Sequence, residues 1–209
     1  RLESHYVHPM CSPTRAALMT GRYASRFGVT AAQNHRALPF DTVTLASALE
    51  AAGYQTALTG KWHLGSAPEW GPQRFGFDHG YGSLAGGCGP YDHRYKTGEF
   101  TRTWHRNGRL IEEPGHITDL IAREAIEWLK QRNEKPFFLY VPFTAIHVPI
   151  DEPEPWQRMN AHLTDPGQRL RAACTSHMDD AIGQVLAELT RQEVRDRTLV
   201  IFLSDNGAH

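Results

Sequence analysis

Cysteine is scarce in this chain: Cys11, Cys88 and Cys174 are all there is, and three thiols cannot all pair with one another. A disulfide framework is therefore not the scaffold. Charge of one sign is lacking too. The 22 Lys and Arg stand against 23 Asp and Glu, a net charge of -1 with no basic stripe, which argues against nucleic acid as the main partner. No apolar run approaches the length needed to span a bilayer. There is no Asn-x-Ser/Thr sequon, no internal repeat and no low-complexity segment. None of the twelve histidines shows His-x-x-x-His spacing or a neighbouring cysteine pair, so a zinc site is not indicated. What is present is a 209-residue chain, 40% hydrophobic, able to bury a core as one domain or part of one. It opens at Arg1 without an initiator Met or signal peptide and stops at His209 soon after an apolar segment, and so reads as cut at both ends.

Helical and apolar-strand patterns alternate along it, which predicts an α/β fold with a mostly parallel sheet sandwiched by helices. Helices are expected over 42–52 (closed by Gly53), 118–131 (capped by Thr118) and about 168–191. Strands are expected over 54–58, 136–143 (buried) and 198–203. Residues 66–115, rich in Gly and aromatics, predict long loops with a hairpin around 100–110. Cys174 falls in a helical pattern and reads as core; Cys88, in Gly86-Gly87-Cys88-Gly89-Pro90, has no assigned role.

Four short strings carry chemistry, three of them just past the carboxyl end of an expected strand, the edge where open α/β sheets bind ligands. The first is Cys11-Ser12-Pro13-Thr14-Arg15, running on through Leu18-Met19-Thr20-Gly21-Arg22. Two arginines and a small-residue turn around one sulfur make an electropositive pocket, the surroundings that hold anions and activate a thiol. A structural cysteine beside a turn is the plain alternative. A thiol phosphatase is excluded by spacing: its loop wants five residues between Cys and Arg, whereas three precede Arg15 and ten precede Arg22. The second string is Gly60-Lys61-Trp62-His63-Leu64-Gly65. In extended backbone Lys61 and His63 share one side, a cation and an imidazole suited to an oxyanion with a proton to move. The third is His147 in Ala145-Ile146-His147-Val148-Pro149; a lone histidine there is more often structural. The fourth is Ser204-Asp205-Asn206-Gly207, whose carboxylate and carboxamide oxygens suit a hard cation, although an Asx turn would look the same. In the loop-rich middle, Asp78, His79, Asp92, His93 and His105 are further polar candidates, with Asp92-His93 the pair to watch. His5 and His8 read as packing or pocket rim.

Taken in order, these strings resemble the type I sulfatases, the formylglycine-dependent arylsulfatase and N-acetylgalactosamine-sulfatase group of the alkaline phosphatase superfamily. The Cys-x-Pro-x-Arg core and the downstream Leu-Met-Thr-Gly-Arg are intact; Thr14 stands where the family usually has serine, and the modifying enzyme reads chiefly Cys, Pro and Arg. The resemblance covers nearly the whole chain. It implies one partial sulfatase catalytic domain over 1–209, with 66–115 as a loop-rich insertion and with an N-terminal metal-binding strand and a C-terminal subdomain missing. It implies hydrolysis of sulfate esters in which Cys11 is converted by a formylglycine-generating enzyme to an aldehyde whose hydrate carries two hydroxyls. One attacks sulfur; the other, deprotonated by His63, collapses to expel sulfate. Asp205 and Asn206, with the modified Cys11, would hold Ca²⁺ or Mg²⁺. Arg15 and Lys61 would neutralise charge, and His147 would protonate the departing alcohol, with Lys61 and His147 touching substrate. The aspartate pair that completes the metal site in the family precedes the cysteine, where this chain has only Glu3, and the sulfate-gripping lysine would lie past His209. The piece alone is therefore expected to turn over little. The Trp, Tyr, His and Arg content of 70–115 leans towards a sulfated carbohydrate over a simple aryl sulfate. Export, to periplasm, lysosome or medium, follows from the family only, and the missing sequon tilts towards a bacterial source. Two rivals stay open: a formylglycine hydrolase of phosphonate monoesters or phosphodiesters, and a non-catalytic relative with an unmodified Cys11.

Overall fold

The sequence builds a mixed sheet with helices on both faces, seen in a computed structural model that describes residues 3–96 and 98–207. Its elements in chain order are α1 (Cys11–Thr20), α2 (Leu45–Ala51), β1 (Gln55–Lys61), β2 (His79–Ser83), β3 (Trp104–Arg106), β4 (Arg109–Leu110), α3 (Ile117–Gln131), β5 (Phe137–Tyr140), α4 (Glu154–Met159) and α5 (Pro166–Arg191), with short 3-10 turns between. The five strands lie in the order β4-β3-β2-β1-β5. Strands β2, β1 and β5 run parallel, β1 against β2 (Lys61 beside Ser83) and β1 against β5 (Leu58 beside Tyr140). The antiparallel pair β3-β4 is the hairpin expected around 100–110, turning at Asn107-Gly108.

Two apolar layers clamp this sheet, and β5 shows how alternation feeds both. Phe138 and Tyr140 pack with Ala16, Met19, Ala46, Leu58 and Trp62 on the α1/α2 side. Phe137 and Leu139 pack with Ala122, Ala125, Leu129, Ala181 and Val185 on the α3/α5 side. Burying these faces contributes roughly 25 cal/mol for each Å² of apolar surface removed from water.

Several expectations shift in detail. Residues 11–20, for which no element was expected, form a helix that ends in a left-handed turn at Gly21: Pro13 fits a first turn and Ala16 to Met19 are strong helix formers. The cap of α3 is His116, whose Nδ1 accepts from the Thr118 amide, not Thr118 itself. Thr44 and Ser47 close a capping box on α2, so that helix starts at Leu45. The 136–143 strand is confined to Phe137–Tyr140 and is half-buried. Within the expected loops, His79-Gly80-Tyr81-Gly82-Ser83 is a central parallel strand. The expected strand 198–203 is not one: it makes no ladder, and Leu199, Ile201 and Phe202 are 85%, 68% and 77% exposed. A strand exists by pairing, and among the described residues neither this segment nor the outer edge of β5 meets another strand.

Candidate active site

The parallel strands end together, so the segments that leave them converge on one edge. Lys61 is the last residue of β1, Gly86-Gly87 come just after β2, and the segment bearing His147 leaves β5. From the other side α1 brings Cys11, its first residue, so the partial positive charge of an uncapped helix N-terminus points to the same place. Asp205 and Asn206 complete the group.

The Cys11 sulfur, half-buried, receives two hydrogen bonds: Lys61 Nζ donates at 3.2 Å and Asn206 Nδ2 at 3.4 Å. Arg15, one helical turn on and 4% exposed, donates Nη1 to the Lys61 carbonyl at 2.6 Å and Nη2 to Asp205 Oδ2 at 2.7 Å. Tyr140 lies 3.5 Å from the same guanidinium. Arg15 thus ties α1, the end of β1, β5 and the Asp205 segment into one knot. Burial alone would depress its pKa, but Tyr140 and the Asp205 carboxylate outweigh that and raise it. For Lys61 the balance goes the other way: burial, then the Arg15 charge, hold its ammonium below the usual range.

His63 is 4% exposed, and burial, reinforced by the charges of Lys61, Arg15 and His147, pushes its pKa down to about 2. It is an uncharged imidazole at neutral pH, and its Nδ1 has no hydrogen-bond partner among the described residues. Both site histidines rest on a glycine pair. A Cβ on Gly86 would lie 2.4 Å from His63 Cε1, and one on Gly87 would lie 3.1 Å from His147 Nδ1. His147 itself is exposed on a turn, with its amide bonded to the Thr144 carbonyl and Nδ1 2.6 Å from the Val148 carbonyl.

Cys11, Arg15, Lys61, Asp205 and Asn206 are therefore in direct contact, with His63 and His147 within electrostatic reach of one another. The middle candidates are spoken for elsewhere. Asp78 caps the Thr56 amide, and His79 pairs with Glu124 at 3.0 Å. His93 stacks on Trp104 and meets the Gly115 carbonyl, while His105 is fully buried, its pKa pushed down to about 3 by burial. Asp92 lies exposed at the rim of a separate cavity of about 410 Å³. His5 is exposed, and the His8 carbonyl accepts from Thr14 Oγ1. Cys88 and Cys174 are buried, and burial raises both thiol pKa values, Cys88 to about 12.

Tyr140 and the Gly86-Gly87 seat escaped sequence reasoning. The alternation of Phe137-Phe138-Leu139-Tyr140 puts Tyr140 on the α1 side, a signal available once the strand is assigned. Paired glycines after a strand signal close approach by something, without saying what.

For a hard cation the donors are right in type: the free oxygen of Asp205 and the carboxamide oxygen of Asn206, in a half-buried position. They supply one carboxylate and one neutral oxygen beside two buried cations, so a divalent ion there needs further oxygen ligands.

A family model described as Sulfatase matches residues 1–209. Human N-acetylgalactosamine-6-sulfatase is 34% identical over 224 residues, which take in 97% of this chain and 42% of that protein. The crystal structure of Ps i-CgsB in complex with k-i-k-neocarrahexaose superposes with a TM-score of 0.80 at 28% identity, covering 89% of this chain and 46% of that one. A protein solved in complex with its substrate D-glucosamine-2-N,6-O-disulfate matches at a TM-score of 0.54 and 25% identity, covering 91% of this chain and 46% of that one. The chain thus spans less than half the length of these relatives.

Proposed function

Because this chain belongs to the sulfatase family, we propose that the whole protein hydrolyses sulfate esters of a carbohydrate, with Cys11 converted to formylglycine by a formylglycine-generating enzyme. The observation that carries this reading is the Cys11 sulfur, held at once by Lys61 and Asn206 from positions 50 and 195 residues away. That sulfur stands in for the oxygen atoms of the modified residue.

The side chains divide the work. Lys61 and Arg15 are buried cations around the nucleophile, placed to hold a sulfate oxygen where a lone positive charge would otherwise be costly. Asn206 donates to the nucleophilic position. Burial is the main cause of the low His63 pKa and the charges of Lys61 and Arg15 add to it; a bound sulfate would offset those two charges and so raise the basicity of that neutral imidazole towards a hydroxyl on residue 11. His147, on its exposed turn, faces the side from which an alcohol leaves and supplies its proton. Asp205 and Asn206 would hold a divalent cation, Ca²⁺ by preference, which when bound would polarise sulfate oxygens. The remaining metal ligands and a further sulfate-binding lysine are assigned to parts of the protein outside 1–209, so residues 1–209 alone are expected to show little turnover. Relatives named or solved with sulfated sugars support a carbohydrate substrate, and the family supports an exported location. Among the described residues no helix is long and apolar enough to cross a membrane.

The test is turnover by the whole protein, coexpressed with a modifying enzyme, on a sulfated sugar and on an aryl phosphonate. Sulfate release is expected to dominate, to fall at least about tenfold after chelation and to return with Ca²⁺. Dominant phosphonate cleavage would assign it to the sister chemistry, and no turnover by fully modified protein would leave a binding role.

A further inference from the structure

A second cluster of ionisable groups lies under the segment that carries His147, away from the Cys11 sulfur and its partners. His177 of α5 is 1% exposed, and both of its ring nitrogens meet carboxylates: Nδ1 lies 2.7 Å from Glu152 Oε2 and Nε2 2.9 Å from Asp119 Oδ1. Two acceptors on one ring require two N–H donors, so His177 is an imidazolium. Its neighbour His116, with ring centres 4.6 Å apart, must be in the opposite state. Its Nδ1 accepts the Thr118 amide and its Nε2 donates to the Asp151 carbonyl at 3.1 Å, which fixes a neutral ring. Trp156 also stacks on His177, at 4.9 Å between ring centres.

The pKa directions agree with this geometry. Burial works against charging His177, but Asp119 and Glu152 outweigh it and raise the pKa to about 9, whereas burial lowers that of His116. The groups facing the cluster are Asp119 and His116 from the start of α3, Glu152 from the loop, Cys174 from α5 and Tyr91 against His116.

What the cluster ties down is specific. Asp151, Glu152 and Trp156 belong to the stretch that leaves His147, and they are fastened to α3 and α5. His147, Pro149, Ile150 and Glu152 line, with His116 and Cys174, a small cavity of about 10 Å³, too small for more than one water. We propose that His177, bridging Glu152 and Asp119, is a positioning residue that fixes the 144–152 segment and so holds His147 where the leaving alcohol receives its proton. This rests on His147 being the proton donor of the proposed sulfatase reaction.

A metal held by His116, Asp119 and His177, whose donor atoms lie within 4.8 Å of one another, fits less well. It would have to displace protons that the hydrogen bonds already place.

The test uses leaving groups. In the whole protein, His177→Gln is expected to lower kcat about 10- to 100-fold on an unactivated sugar sulfate, with KM little changed. On 4-nitrophenyl sulfate, whose leaving group needs no proton, the change is expected to stay within about twofold. Glu152→Gln, nearly isosteric, should give the same split more mildly and serves if the first variant folds poorly. Equal losses on both substrates, or none, would overturn the proposal. His147→Ala run alongside separates the two ideas: if it shows no leaving-group selectivity, the role of His147 fails; if it does and the His177 and Glu152 variants do not, the positioning fails. Nitrogen NMR should find His177 doubly protonated at neutral pH, and stoichiometric retained zinc with a singly protonated ring would also overturn it.

Discussion

Cys11→Ala in the whole protein is expected to lower sulfate-ester turnover by about 10⁴-fold or more while leaving the fold nearly untouched. The two effects separate because the sulfur sits at the mouth of the sheet edge, half-buried, and not in the apolar layers. Alanine keeps α1 intact, being the best helix former. The loss to stability is confined to two hydrogen bonds from Lys61 and Asn206, about 1–3 kcal/mol, the larger part from the buried Lys61 ammonium. Activity has no such reserve, since residue 11 is the group on which the buried Lys61 cation and the Asn206 amide converge. Cys11→Ser sharpens the test. A serine hydroxyl can attack sulfur and release the alcohol, but without a second hydroxyl on the same carbon it cannot collapse to expel sulfate. A single turnover followed by a stable sulfated enzyme, seen by intact mass, is expected. Steady multiple turnover by the serine variant would contradict the proposed chemistry.

Gly86→Ala is expected to cost about 100-fold in kcat and to lower the thermal midpoint, the protein remaining folded. The added methyl would lie 2.4 Å from His63 Cε1 and 2.5 Å from Nε2, closer than atoms approach, so one of the two must move. His63 cannot give way cheaply: it is 4% exposed and is followed by Leu64, itself wholly buried. A displaced ring loses its alignment with residue 11, and base catalysis is worth about 10²–10⁴-fold. Steady-state kinetics and a melting curve on the same preparation check this. A variant with near-normal kcat would show that His63 does not need its glycine seat, and one that is inactive because it is unfolded would show that the seat serves the fold.

Much of the site was legible because its chemistry is written in short strings at strand ends. Lys61 and the segment bearing His147 are far apart in sequence, yet each lies where a parallel sheet delivers its ligands. Helices α3 and α5 were readable from their apolar stripes. β2 was not, because His79-Gly80-Tyr81-Gly82-Ser83 has neither alternation nor an apolar run, and its place between β1 and β3 comes from pairing. The segment 198–203 has a strand's composition but no partner, so its sequence promised what the described structure does not form. The His116, Asp119, Glu152 and His177 cluster left no local signal, since only His116 and Asp119 are neighbours in sequence and Glu152 and His177 come from distant parts of the chain. Arg15 shows the same limit from the other side: its motif announced an anion pocket, and only the structure revealed that it also clamps Asp205 and the Lys61 carbonyl.

The most direct measurement is mass spectrometry of the tryptic peptide spanning 2–15, from the whole protein expressed beside a formylglycine-generating enzyme. Conversion of the Cys11 thiol to an aldehyde, captured by a hydrazide probe, is the predicted result. An unmodified thiol, in cells that convert a control sulfatase, would contradict it and point to Thr14 as the residue that blocks the modification.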